Sequence, residues 1–147
     1  MKQEHSKAAF AAYRISAGSA TGVTRTIMLY DKVSMLLADA RSKWQASIFD
    51  GAFAAMKEAA AVLAELSATL DESKGRAVCE ALRRYYTSLA FQVLALPRQP
   101  DPAARIDSLL RQIAVVREAW AEVMAQQPHR PQQPSGSTHD SVSLGLA

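Results

Sequence analysis

The sequence predicts an all-α fold, an antiparallel four-helix bundle with a short, loosely held N-terminal helix. Three observations predict it. Four segments of about 20 residues each carry apolar residues at helical spacing. The breaks between them are short, so successive helices should lie antiparallel. Gly and Pro number 6 each in 147 residues, and Ala supplies much of the 49% hydrophobic content. Ala favours the helix and lets helices approach closely. A chain of this length is one domain by the usual prior and can bury a real core. Its expected divisions are an N-terminal segment at 1–23, a helical bundle at 24–125 and a disordered tail at 126–147.

The first long helix is expected over 24–45, about six turns. Leu29, Tyr30, Val33, Leu36, Leu37, Ala40 and Trp44 share one arc of it, while Arg25, Lys32, Asp39 and Lys43 oppose them. Three further helices need a partner surface, and this one is their natural centre. Before it, Phe10 and Tyr13 would share a face of a short helix. Gly18 and Gly22 should end that helix in a loop. Thr21 or Thr24 is the candidate cap for the long helix. Met28 and Met35, seven apart with Ala38 and Ser42 alongside, form a thinner second stripe. Either the helix is buried on more than one side, or the methionines line an adaptable contact surface.

The second helix is expected over 52–70, with Asp50 as N-cap. Its stripe is Phe53, Met56, Ala59, Ala60, Leu63, Leu66 and Leu70. Residues 71–75 break the chain. The third helix is expected over 76–96, on Val78, Leu82, Tyr85, Tyr86, Leu89, Val93 and Leu96. Phe91 falls outside that stripe, either as a contact residue or as a packed edge residue. After Pro97 and Pro100, Asp101-Pro102 is a start signal with Asp at the N-cap and Pro at N1. The fourth helix is expected over 102–124, on Ile106, Leu109, Leu110, Ile113, Val116, Trp120 and Val123. The tail, rich in Gln, Pro, Ser and His, cannot bury a core. Val142, Leu144 and Leu146 are apolar residues within it that could dock, though no site is assigned to them.

The chemistry of catalysis is not written in these residues. His5, His129 and His139 lie in the expected loose ends. No Glu-x-x-His pair of the di-iron type sits in a helix, and no Cys-x-x-Cys-His is present. No P-loop, dinucleotide fingerprint or nucleophile elbow appears. Glu58, Glu65, Asp107, Glu118 and Glu122 fall on polar faces. The reading is therefore no enzyme, no cofactor and no metal. Cys79 lies near a helix N-terminus with Arg76 and Arg83 at helical spacing, which could lower its pKa; packing is the plainer role. As the one cysteine it forms no disulfide framework. The net charge of +3 and pI near 9.2 are too mild to name nucleic acid as a partner. No apolar run is long enough for a membrane span. The N-terminus lacks a signal-peptide core, so a cytoplasmic location is expected.

Several short runs together resemble a known family. Ala12-Tyr13-Arg14, Ser19-Ala20-Thr21 and Ile27-Met28-Leu29-Tyr30-Asp31 resemble the start of the flagellar secretion chaperone FliS family. Leu66-Ser67-Ala68-Thr69-Leu70-Asp71 resembles its second-helix ending, with Gly75 opening the next. Residues 82–89 resemble its third helix, and Arg117-Glu118-Ala119-Trp120 its fourth. The order and gaps match over about residues 10–124, except that the Tyr13-to-Tyr30 spacing is one residue short. Gly22 stands at a usual Pro, Arg25 and Tyr85 at usual Leu positions, and Ser88 at a usual Tyr. The resemblance implies a helical bundle in the cytosol of a flagellated bacterium. It implies binding to the C-terminal segment of flagellin, which prevents premature polymerisation. It also implies delivery to the type III export apparatus through the gate component FlhA. It implies no reaction, no nucleic acid and no membrane insertion. It places Phe10 and Tyr13 where a similar pair influences flagellin binding; completing the core is their other reading. Met28, Met35 and Phe91, each off its helix's main stripe, complete the candidate contact residues. An adaptor for another cytoplasmic partner fits composition and periodicity as well, and a small cofactor-binding bundle is a more distant alternative.

Overall fold

The computed structural model describes residues 20–126. It has four α-helices: α1, Ala20–Gln45; α2, Phe49–Ala68; α3, Arg76–Leu94; and α4, Pro102–Gln126. Single 3-10 turns, Glu72–Lys74 and Leu96–Arg98, lie in the second and third connections. There is no strand among the described residues. The expected short helix around Phe10 and Tyr13 lies outside them, as do the three histidines and residues 127–147.

Helix α1 is the centre of the bundle, packed between α2 and α4, with α3 on the other flank of α2. Tyr30, Val33, Leu37 and Ala40 on its main arc are completely buried. Its neighbours run antiparallel to it: Arg25 meets Glu65 near one end, and Trp44 packs on Phe49 and Phe53 at the other. Arg41 near its C-terminal end forks onto Asp107 near the start of α4, at 2.9 and 3.2 Å. α3 and α4 pack far less closely than these pairs. Arg105 bridges them by donating to Gln92 at 2.6 Å.

α1 is already helical at Ala20, the first described residue and four residues before the expected 24. Gly22, read as loop, and Thr21 and Thr24, read as caps, are inside the helix. The reason is burial: Val23 is in the core and continues the apolar arc one turn back through Ile27. Thr26 Oγ donates to the Gly22 carbonyl at 3.0 Å.

The α1–α2 corner is a Schellman ending. Ile48 N–H bonds the Lys43 carbonyl at 2.8 Å, and Ser47 N–H the Trp44 carbonyl at 3.0 Å. The motif places its C′ residue in the left-handed region, and here that residue is Ser47, at φ 61°. Gly has no Cβ penalty there. Ser47→Gly is therefore expected to stabilise the fold by about 1 kcal/mol. A higher urea midpoint at unchanged slope would show it, and a lower midpoint would contradict it.

The start of α2 corrects two expectations. Asp50 is not its N-cap: the helix begins at Phe49 after Ile48, with no side-chain cap bond, and Asp50 lies in the first turn. There its charge still faces the positive end of the helix dipole. Phe53, placed in the core stripe, is 38% exposed. The buried face of α2 is set by Ala52, Ala55, Met56, Ala59, Val62, Leu63 and Leu66, which turns Phe53 to the rim. The small side chains let α1 approach closely, and Phe53 and Phe49 instead pack on the half-buried Trp44.

Asp71 organises the α2–α3 connection. Its carboxylate accepts from Ser73 N–H at 3.0 Å and from Ser73 Oγ at 2.5 Å. These bonds, the side-chain one first, hold its pKa below the usual value. The Asp71 carbonyl also accepts from Cys79 Sγ at 3.3 Å. Cys79 is completely buried, so it packs rather than reacts. α3 ends at Leu94 rather than 96, but the following 3-10 turn still delivers Leu96 into the core. At α4 the start signal performs as expected: Ala104 N–H bonds Asp101 Oδ1 at 3.1 Å, with Pro102 at N1.

Candidate partner-binding surface

Several described residues that carry the family resemblance gather at one end of the bundle, where α3 begins and α2 and α4 end. Tyr30 on α1 and Tyr86 on α3 meet through their hydroxyls at 2.5 Å, with ring centroids 6.1 Å apart. Both are essentially fully buried, and Trp120 of α4 is buried with them. The next residue, Asp31, faces outward and takes a two-pronged contact from Arg117, at 2.7 and 3.3 Å. Tyr30, Asp31, Asp71, Tyr86, Arg117 and Trp120 thus tie the helices together.

Burial pushes the Tyr30 pKa well above its ordinary value, helped by the adjoining Tyr86 and opposed by a hydrogen-bond contribution from Trp120. Burial raises Tyr85 as well. An unfolded tyrosine ionises near pH 10. Above that pH the unfolded chain has lost these protons while the folded chain retains them, so stability must fall. The bundle is expected to hold its stability up to about pH 10 and lose it steeply beyond. Tyr30→Phe should flatten that loss. A stability flat to pH 11 in the unsubstituted chain would contradict the burial assigned to the hydroxyl.

Beside this cluster lies a recess of ≈ 370 Å³. Gly22, Arg25 and Thr26 of α1 face Ala68 to Asp71 across it, with Tyr86 and Trp120 as the inner wall. Arg25, at a usual Leu position, pairs with Glu65 at 3.5 Å. Residues 1–19 join the bundle at Ala20, next to this recess.

The candidate contact residues fall on two separate surfaces. Phe91 is 70% exposed and lines a groove between α2 and α3 of ≈ 400 Å³. Leu63, Ala64 and Ser67 form its α2 wall; Thr87, Ala90, Phe91 and Leu94 form its α3 wall, with Arg83 at one end. Met28 and Met35 are exposed on the face of α1 opposite its core arc, with Ala38 and Ser42 also exposed. Among the described residues, burial of α1 on a second side is therefore not found, because α2 and α4 both pack against the one broad arc. α2 separates the methionines from Phe91. Phe10 and Tyr13 lie outside the described residues.

Sequence reasoning missed the other half of the groove. Leu94 is 51% exposed and sits three residues after Phe91, one turn along the same face. That spacing, off the main stripe, was a usable signal. Ala64, Thr87 and Ala90 gave none, because small residues read equally well as core or surface. A second missed surface is the α1–α2 corner, where Ile48, Phe49 and Phe53 are all exposed beside Trp44.

Among the described residues, no group of three or more His, Cys, Asp or Glu is placed to hold a metal ion. No helix among them is long and apolar enough to cross a membrane. The surfaces offered are apolar grooves and strips, suited to an amphipathic peptide. Neither a curated protein nor a solved structure matches the chain. A family model described as flagellar protein FliS matches residues 6–127, from ahead of Phe10 to one residue past α4. By that match, which spans most of the sequence and every helix of the bundle, the chain belongs to the FliS family of flagellar proteins.

Proposed function

We propose that this chain is a cytosolic export chaperone that binds the C-terminal segment of flagellin. It keeps flagellin from polymerising early and presents it to the export gate component FlhA. The observation that carries this reading is the FliS match over residues 6–127, which supports a flagellar export chaperone role. The α2/α3 groove adds a physical means. Phe91 and Leu94, three apart and exposed, offer apolar anchors over a floor of Leu63 and Ala90. An amphipathic helix engages such a groove through its own i, i+3, i+4 face. Met28 and Met35 extend the contact on α1, where flexible thioethers adapt to a wrapped partner.

Phe10 and Tyr13 act as a gate: their segment covers an apolar surface of the bundle until flagellin displaces or joins it. The recess beside Gly22 is the surface nearest to where that segment enters. In this reading Phe10→Ala with Tyr13→Ala changes affinity for a flagellin C-terminal peptide by about tenfold or more, ~1.4 kcal/mol, with little loss of thermal stability. Titration calorimetry and melting of the double variant decide between gate and core. A fall in stability of several kcal/mol returns the pair to the core. Unchanged affinity in a normally folded variant removes the gate. Co-purification from cells with and without flagellin tests the chaperone reading itself; another protein captured equally in both would favour a different cytosolic partner.

A further inference from the structure

We infer that the α2/α3 groove is a docking site for the chain's own residues 142–146. The groove is apolar, and its anchors Phe91 and Leu94 are left exposed by every described element. Beyond α4 the sequence offers one segment with matching chemistry. Residues 127–141 contain no Ala, Val, Ile, Leu, Met, Phe, Tyr or Trp, and then Val142, Leu144 and Leu146 follow at alternate positions. Alternation puts three apolar side chains on one face of an extended segment. Ser143 and Gly145 between them are small, which lets the segment lie close to the groove walls.

Geometry allows the docking without strain. In the antiparallel bundle α4 ends at the same end as α2, and the α2 wall of the groove is formed by its last turns, Leu63 to Ser67. From the α4 axis to the far side of α2 is two interhelical steps, about 20 Å at 8–10 Å each. The sixteen residue steps from Gln126 to Val142 can span at most about 55 Å at ~3.3–3.6 Å each, well beyond that distance. The chain is therefore long enough to reach the groove, so the segment is presented to it intramolecularly, at an effective concentration set by the tether. A contact too weak to form between separate molecules is then formed within one.

The test is an amide NMR comparison of the full chain with its triple variant Val142→Ser, Leu144→Ser, Leu146→Ser, which alters no residue of the bundle. Flagellin is absent from the experiment, so its result is independent of the proposed function. The expected result is a set of shift changes at Ala64, Ser67, Thr87, Ala90 and Phe91 that persists on tenfold dilution. Changes confined to residues 127–147, or centred on α1 or α4, would overturn the docking site. Changes in the groove that vanish on dilution would overturn it too, since the occupant would then be a second copy of the chain.

Discussion

Trp120→Ala is expected to cost the bundle about 3–5 kcal/mol, a large part of the 5–15 kcal/mol that a domain of this kind has. Trp120 is 4% exposed and lies against the buried Tyr30–Tyr86 pair, where α1, α3 and α4 meet. Removing the indole leaves a cavity that three helices cannot all close, because Tyr30 and Tyr86 are held to each other. Two residues away on the same helix, Glu118 is exposed. Glu118→Ala should change stability by no more than about 0.5 kcal/mol. Trp44→Ala should fall between the two, since Trp44 is half-buried on a rim with Phe49 and Phe53. Urea midpoints of the three variants check the order. Equal midpoints for Trp120→Ala and Glu118→Ala would refute the assignment of faces on α4.

Phe91→Asp is expected to weaken binding of a flagellin C-terminal peptide by at least about tenfold, ~1.4 kcal/mol, while leaving the fold intact. The stability expectation follows from exposure: the side chain is 70% accessible, so its loss removes little core packing. The binding expectation follows from placement in the groove, where a charge would be desolvated by an apolar peptide. Val115 supplies the control. It is equally exposed, at 71%, but lines none of the recesses described above. Val115→Asp should leave affinity unchanged. Equal effects of the two substitutions would mean that the peptide does not use the α2/α3 groove.

The helices were legible because their information is periodic and redundant. Seven positions on the first helix specify one face, and an error at one of them changes nothing. The Asp101-Pro102 start was legible because it is local chemistry, a side-chain acceptor placed for a nearby free N–H. The α2 start was not. Asp50 looked like a cap, but packing of Phe49 on Trp44 and the backbone bonds of the α1–α2 corner start the helix one residue before it. Phe53 was misplaced for a related reason: its hydrophobicity outweighed Ala52 and Ala55 in the pattern, whereas close helix approach favours the alanines. The motif residues showed the family, but their geometry reveals why they recur together here. Tyr30, Tyr86 and Trp120 share one buried cluster, and Asp31 and Arg117 clasp across its outside. Such long-range partnerships have no signature in local spacing. The binding surface was half legible: Phe91 stood out by falling off its stripe, but the groove beneath it is made by small residues on two helices.

The most direct test of the chaperone reading is isothermal titration of the full chain with a peptide of the flagellin C-terminal segment. A saturable one-to-one isotherm at micromolar affinity or tighter, about −8 kcal/mol or more favourable, is the expected result. It should come with a negative heat-capacity change, because the groove and the peptide bury apolar surface in each other. An absence of binding at high micromolar concentrations, by a protein whose circular dichroism shows the bundle folded, would contradict it.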